Sequence, residues 1–419
     1  MTESKRVKLI ELVKDFGGLI QTGPFGSQLH QSDYVESGVP VIMPSDMVGG
    51  KIDLTDISKV TADKANTLSK HFVGEGDIVL ARRGDIGRCA FVSSTESGFL
   101  CGTGSIKISV PEEILLPRYF FYYLQTKEII GWLNGIAVGS TLKNLSAGAV
   151  GQMPIDLPSI KIQNISANIL NFFDDLIENN QRRIEILEES AKALYREWFV
   201  HYRYPGHEND TMVDSELGPI PSGWALRKIG DLGTIVTGNT PPTKQPELYG
   251  EKFPFLTPSD IKKSLFCETE RYLSPKGASK FENKILPSMS IVFTCIGSIG
   301  AICMTKEPTV TNQQINSIIP HDRKTTCFIL QLCLQERKRI NNYATGSAVP
   351  IINKNTFSNI PIVHPPNDLI HNFENLTDQM IQEILILANL NLSLQASRDL
   401  LLPRLISGEL DVTDLDLVA

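Results

Sequence analysis

Val41-Ile42-Met43-Pro44-Ser45-Asp46-Met47 is the stretch that decides the fold, because it returns 214 residues later as Phe255-Leu256-Thr257-Pro258-Ser259-Asp260-Ile261. Gly84-Asp85-Ile86-Gly87 returns after 213 residues as Gly297-Ser298-Ile299-Gly300. The period is half of the 419-residue chain. Solenoid repeats recur every 20 to 50 residues or so, whereas a period above about 200 means two complete domains of one type in tandem. Two copies with divergent loops read two different things with one scaffold.

Composition agrees with two sizeable cores: 42% of residues are hydrophobic and 21% charged, ordinary globular content. Met1-Thr2-Glu3-Ser4-Lys5-Arg6 leads into no apolar export segment, so the chain reads as cytoplasmic. The one long uncharged stretch, residues 285–305, is broken by Pro287, Gly297 and Gly300. Its counterpart in the first half carries Asp77, Arg82, Arg83 and Asp85, which a bilayer would not tolerate. The stretch predicts a strand, a turn and another strand, and no membrane partner. The seven cysteines are odd in number and none shows metal or redox spacing, so free, mostly buried thiols are expected.

The net charge of −7 argues by itself against nucleic acid, but its distribution reverses that. Residues 367–419 hold 2 basic and 9 acidic side chains and account for the whole of it. The repeated domains are near neutral and can present local positive surface through Arg82-Arg83, Lys262-Lys263 and Arg337-Lys338-Arg339.

Each half divides again. After Pro154-Ile155-Asp156-Leu157-Pro158, and after Pro361-Ile362-Val363-His364-Pro365-Pro366, a long helical pattern begins. Phe173, Ile177, Asn180, Ile184, Leu187, Ala191, Leu194 and Trp198 recur at alternating spacings of four and three. Met380, Ile384, Leu387, Asn391, Leu394, Arg398, Leu401 and Leu405 form the same seam 207 residues on. Two heptad seams in matching register favour packing on each other, with Asn180 and Asn391 fixing register. Arg398 is expected near the solvent-facing end. Pseudo-twofold symmetry then requires antiparallel helices carrying the globular heads to opposite ends. Residues 173–198 would span about 39 Å, close to the ~34 to 36 Å of one DNA turn. The boundaries expected are 1–158 and 204–366 for the heads, 159–203 and 367–410 for the spacer helices, and 411–419 for an acidic tail.

In their order, twice over, these motifs resemble the specificity (S) subunits of type I restriction-modification systems. The resemblance rests on the run from Gly76 to Gly87, on Gly218-Pro219-Ile220-Pro221-Ser222-Gly223-Trp224, and on Ala137-Val138-Gly139-Ser140-Thr141 matched by Ala344-Thr345-Gly346-Ser347-Ala348. It extends to the helix endings Leu194-Tyr195-Arg196-Glu197-Trp198-Phe199 and Leu401 to Leu410. It implies an α/β (α+β) fold: two tandem pseudo-symmetric target-recognition domains, each a mixed α/β globule followed by a long helix, the helices pairing as an antiparallel coiled coil. It also implies a bipartite asymmetric site on double-stranded DNA and assembly with two methyltransferase subunits and with restriction subunits. No cofactor is expected on this chain, S-adenosylmethionine, ATP and Mg belonging to those partners.

Thr237-Gly238-Asn239-Thr240-Pro241-Pro242 looks like the family's Gly-Thr-Pro loop, and Gln21-Thr22-Gly23-Pro24-Phe25-Gly26-Ser27 is a looser match. Amides and basic groups suit base edges, Asn and Gln pairing with adenine and Arg with guanine. The candidate DNA-binding residues are therefore Thr22, Ser27, Arg82, Arg83, Ser140, Thr141 and Lys143 in the first head. In the second they are Thr237, Thr240, Lys244, Asn312, Gln313 and Ser347. The aromatic cluster Tyr195, Trp198, Phe199 and Tyr202, with Tyr204, exceeds what a two-helix seam can bury and is the candidate methyltransferase dock.

The chain reads as non-catalytic. Asn239-Thr240-Pro241-Pro242-Thr243 lacks the aromatic an amino-methyltransferase needs to hold a flipped base, and there is no phosphate-cradling Gly-x-x-x-x-Gly-Lys run. The Pro-Ser-Asp repeats read as capped turns. The competing class is a tandem-domain coiled-coil scaffold that binds proteins, and the polar, basic loops speak for DNA.

Overall fold

The computed structural model describes residues 5–138, 143–262, 264–346 and 349–415. The chain forms two compact units, Met1–Ile177 with Ser393–Ala419, and Glu178–Leu392.

In the first unit the strand Lys5–Lys8 pairs antiparallel with Pro154–Leu157, so the head is closed by its own first and last strands. Between them lies an antiparallel sheet in the order Leu19–Thr22, Ser105–Ser109, Ile78–Ala81, Cys89–Phe91. Ile78–Ala81 is buried at every position, which is why it reads as an unbroken apolar run rather than an alternating one. The helix Pro117–Leu124 starts on a proline and buries everything from Tyr119 to Leu124. A second small sheet sets Leu100–Cys101 parallel to Val41-Ile42.

The second unit repeats this frame. Ala225–Lys228 pairs with Pro361–His364, and a sheet runs in the order Gly233–Thr237, Ile315–Pro320, Ile291–Thr294, Ile302–Met304. Ile291–Thr294 and Ile302–Met304 are the strands expected within residues 285–305. Phe255-Leu256 runs parallel to Val310-Thr311. Among the described residues no helix is long and apolar enough to cross a membrane.

The proline-ended strands launch two helices, Ile160–Tyr195 and Asn367–Ile406, of 36 and 40 residues. Every seam position named from the sequence is buried or half-buried. In the second unit Asn180 Nδ2 donates to Asn391 Oδ1 at 2.9 Å, Arg183 pairs with Glu383, and the Tyr195 and Phe373 rings lie 6.0 Å apart. Partners fall in number as the first helix rises, so the segments run antiparallel. The first unit shows the same sense, with Lys161 Nζ on the Thr413 carbonyl at 3.0 Å and Asp174 on Arg398 at 2.6 Å.

Three expectations are corrected. Arg398 is not at a solvent-facing end: it is half-buried against Asp174, whose other oxygen accepts the Tyr122 hydroxyl at 2.7 Å. A charge sits in the seam because a carboxylate there meets it. Cys267 and Cys303 are not free thiols but form a disulfide, their Cα atoms 6.0 Å apart, while the other five cysteines are free and buried. Their spacing of 36 residues gave no clue, since the segments meet through the bridge between Phe266 and Met304.

The third concerns Tyr195, Trp198, Phe199 and Tyr202, which were expected at an exposed dock. Tyr195, Trp198, Phe199 and Tyr204 belong to the core of the second unit, and Tyr202 packs half-buried against it. The Phe199 ring lies 5.1 Å from both Phe328 and Phe373 and 6.0 Å from Trp224. Two helices alone could not bury these rings; the head adds Phe328 and Trp224, and the π-helical turn Arg196–Val200 carries Trp198 and Phe199 into that core.

Asn180→Ala removes one partner of a buried amide pair and is expected to cost about 1 to 3 kcal/mol, whereas Asn180→Leu with Asn391→Leu should cost less than the two single changes summed. Urea unfolding in a Trp132→Phe background, read by the fluorescence of Trp198 and Trp224, checks this. Additive effects would mean that the pair is not coupled.

Candidate nucleic-acid interface

Both heads build their loop surface on a close backbone crossing. A Cβ at Gly23 would lie 2.0 Å from the Gly102 carbonyl oxygen, and one at Gly238 would lie 2.2 Å from that of Thr311. Only glycine fits at either place, so the two loops occupy equivalent positions although their sequences match loosely.

In the second head the loop after Gly238 is tied to the 311–314 turn. Asn239 N donates to the Thr311 carbonyl at 2.8 Å, and the Thr240 hydroxyl donates to Gln313 Oε1. Tyr249 donates to the Pro241 carbonyl at 2.9 Å and Lys284 Nζ to Asn239 Oδ1. Thr240, Lys244 and Gln313 are exposed. Asn312 is buried, its Oδ1 accepting Gln314 N and its Nδ2 donating to Gln314 Oε1, both at 3.0 Å. Thr237 donates to Asn316 Oδ1 at 2.6 Å. These two hold the turn in shape.

In the first head Arg82 is only 7% exposed. Its Nε donates to Asn144 Oδ1 at 3.0 Å, and its guanidinium lies 5.9 Å from the centre of the Phe25 ring. Burial, with Arg83 beside it, presses its pKa below the usual arginine value. Arg83 reaches the same Asn144 oxygen at 3.4 Å but is exposed, as is Lys143, whose Nζ donates to the Asn134 carbonyl at 3.3 Å. Ser27 is exposed on the loop with Phe25, and Thr22 is half-buried at the end of its strand. Ser140, Thr141 and Ser347 lie outside the described residues.

The structure thus divides the candidates. Ser27, Arg83, Lys143, Thr240, Lys244 and Gln313 present polar groups to solvent, while Arg82, Asn312 and Thr237 bond within the protein. Lys284 and Phe25 join these clusters without having been singled out as contacts. Lys284 comes from 45 residues beyond its partner Asn239, so no local motif marks it.

The family model of the type I restriction modification DNA specificity domain matches residues 19–189 and again 221–385. The chain belongs to this family. It is 28% identical over 405 residues to the type I restriction enzyme HindI specificity subunit of Haemophilus influenzae, covering 82% of this chain and 88% of that one. It is 25% identical over 418 residues to the type I restriction enzyme MjaIX specificity subunit of Methanocaldococcus jannaschii, covering 97% and 94%. In fold it resembles the crystal structure of a type I restriction-modification S subunit from M. genitalium, with a TM-score of 0.58 and 15% identity over 96% of each chain.

One cluster in this specificity-family chain has metal-ligand chemistry among the described residues: Cys327, Glu374 and Asp378. Both Glu374 oxygens accept Cys327 N at 3.0 Å and one accepts Phe328 N at 3.3 Å, so the carboxylate caps the helix Thr326–Gln335. Burial pushes the Cys327 thiol well up, keeping it protonated. The cluster ties a spacer helix to its head.

Arg82 is buried in the head and Arg83 exposed on its surface. Arg82→Ala should destabilise the first unit by about 1 to 3 kcal/mol, since it strips a charged donor from Asn144. Arg83→Ala should leave stability unchanged and weaken DNA binding, with any loss of sequence preference confined to one half-site. Thermal unfolding and DNA affinity across a salt series check both; the reverse pattern would exchange the roles.

Proposed function

We propose that the chain is the DNA sequence-specificity subunit of a type I restriction-modification complex, reading a bipartite, asymmetric site with one head per half-site. The observation that carries this is a shared frame with unlike polar tips. Gly23 and Gly238 make the same crossing, yet one head presents Ser27, Arg83 and Lys143 and the other Thr240, Lys244 and Gln313. Two readers of one build with different side chains suit two different half-sites. A protein-binding scaffold would not need this polar and basic loop chemistry.

In this reading the chain works in the cytoplasm and performs no chemistry of its own. Two methyltransferase subunits supply S-adenosylmethionine-dependent transfer, and restriction subunits supply ATP- and Mg-dependent cleavage. The buried aromatic cluster leaves the outer helix faces as the dock. In the second unit Ile186, Leu376, Ile386 and Leu390 are exposed, and in the first Phe172 and Leu400 are. Leu376 and Leu390, both in the second unit, are two heptads apart, and Ile386 lies between them. Such stripes fit partner helices. Ile386→Glu with Leu390→Glu should abolish co-purification with the methyltransferase while the chain stays folded by circular dichroism. Retention at wild-type stoichiometry would discard this dock.

The spacer helices are proposed to set the gap between half-sites. Inserting four residues after Glu189, with a matching insertion in the second helix, adds about 6 Å and should lengthen the preferred gap by roughly one to two base pairs at ~3.4 Å each. The bases read in each half-site should not change. Selection of methylated sites from a randomised-gap DNA library, using the chain assembled with its methyltransferase, measures this. An unchanged gap in an active complex would remove the helices from that role, and the absence of any bipartite preference in the wild-type complex would refute the function itself.

A further inference from the structure

The Pro-Ser-Asp turn closes identically in the two heads. Met43 N donates to Asp46 Oδ2 at 2.8 Å, and Thr257 N to Asp260 Oδ2 at 2.7 Å. An arginine lies against each turn, but from a different place in the frame.

In the second head it is Arg271, whose Nη2 bonds the Thr257 hydroxyl, Ser259 Oγ at 3.3 Å and Asp260 Oδ2 at 3.4 Å. In the first head it is Arg88, whose Nη1 donates to the Pro44 carbonyl at 3.4 Å while Asp85 Oδ2 holds Nε and Nη2 at 3.2 and 2.9 Å. Backbone bonds identify the equivalent positions. Phe255 N donates to the Arg271 carbonyl and Val41 N to that of Ser58, both at 2.8 Å, so Ser58 stands where the second head has Arg271. Thr294 N donates to the Ala301 carbonyl at 3.0 Å and Ala81 N to that of Arg88 at 2.8 Å, so Ala301 stands where the first head has Arg88. Each head keeps one arginine at the turn and has exchanged which flank supplies it.

An arginine needed only to brace the turn would stay at one position, because the turn itself does not change. The turns also border the polar loops. Asn312 N bonds the Leu256 carbonyl at 2.9 Å, next to the Gln313–Thr240 contact, and Arg82 N bonds the carbonyl of Gly104, which abuts Pro44. The two side chains remain 49% and 39% exposed while held at a base shared with protein groups. In Arg271 the turn engages Nη2 and not Nη1, and in Arg88 the Asp85 carboxylate takes the Nε–Nη2 edge, so the Nη1–Nη2 end of each guanidinium is the pair of donors a ligand would use. A planar, charged fork held by a carboxylate and hydroxyls is matched to the O6 and N7 acceptors of guanine.

Building on the proposed function, we infer that Arg271 is a specificity-determining residue that reads guanine in the second head's half-site, with Arg88 its counterpart in the first. Exchange of flanks places the two guanines at different steps of their half-sites, so the unlike positions of these arginines contribute to the asymmetry of the whole site.

The test uses the full chain assembled with its methyltransferase and selection of methylated sites from a randomised library. The wild-type complex should select a guanine in each half-site. Arg271→Ala should lower the preference for guanine at one position of the second half-site by roughly 10- to 100-fold and leave the first half-site unchanged. Arg271→Lys, which keeps charge but lacks the fork, should not restore it. Arg88→Ala should do the same to the first half-site alone. A uniform loss over all sequences with a shallower salt dependence would make Arg271 a phosphate contact and overturn the inference, as would an unchanged selection profile. Either result beside a wild-type complex that still selects a bipartite site leaves the proposed function standing, whereas no bipartite selection by the wild type removes both.

Discussion

Neither head completes its own core; the constraint behind the rest of the structure is that each must be finished by both long helices. The first unit takes Ser393–Ala419 from the far end of the chain, and the second reaches back to Glu178 on the first helix. Leu405, Ile406 and Val412 lie in the same core as Tyr119 and Ile162, and the Tyr119 hydroxyl donates to the Ile406 carbonyl at 3.3 Å. The second unit buries Tyr195, Trp198 and Phe199 among Phe328, Phe357 and Phe373. Apolar area that a helix pair alone would leave wet is removed from water by the head, and the hydrophobic term scales with that area. The spacer is therefore part of each core rather than a tether between finished domains.

An all-apolar seam between such helices would tolerate slippage by a heptad, and its polar residues oppose that. The Asn180–Asn391 amide pair is satisfied in one register only. In the first unit Arg398 needs Asp174, and Asp174 in turn accepts Tyr122 from the head, so a slip would strand a charge in a half-buried place. Glu188, pushed up to about 7 by burial and then by Glu185, shows the opposite case, a carboxyl held where its charged form is disfavoured. Polar groups in the seam lower its gross hydrophobic stabilisation and narrow the ways in which it can form.

The fold was largely legible because its signals are periodic. The half-chain repeat, the alternating four-and-three seam and the capped Pro-Ser-Asp turns all appear in the structure as read. The candidate surface was legible only by segment. Arg82 and Arg83 are adjacent and chemically alike, yet one is buried on Asn144 and the other exposed, and that difference depends on a residue 62 and 61 positions away. Asn312 and Gln313 divide in the same way, one bonding Gln314 and the other exposed. The aromatic run from Tyr195 to Tyr204 was misjudged for the same reason: a helix pattern shows how much a two-helix seam can cover, not what a head adds from beyond it.

The backbone crossings explain why the two heads can diverge without losing their frame. At Gly23 and Gly238 a neighbouring backbone carbonyl excludes any side chain, so the path of the loop is set by main-chain contact and not by what the loop carries. Asp46 and Asp260 likewise close their turns on backbone N–H groups. With the path held by glycine and main-chain bonds, the exposed residues that follow can differ between the heads, Ser27 on one side and Thr240 on the other. A frame fixed by backbone with its tips left free lets one duplicated domain carry two unlike polar surfaces, and it leaves the difference between the heads in side chains that no repeat can reveal.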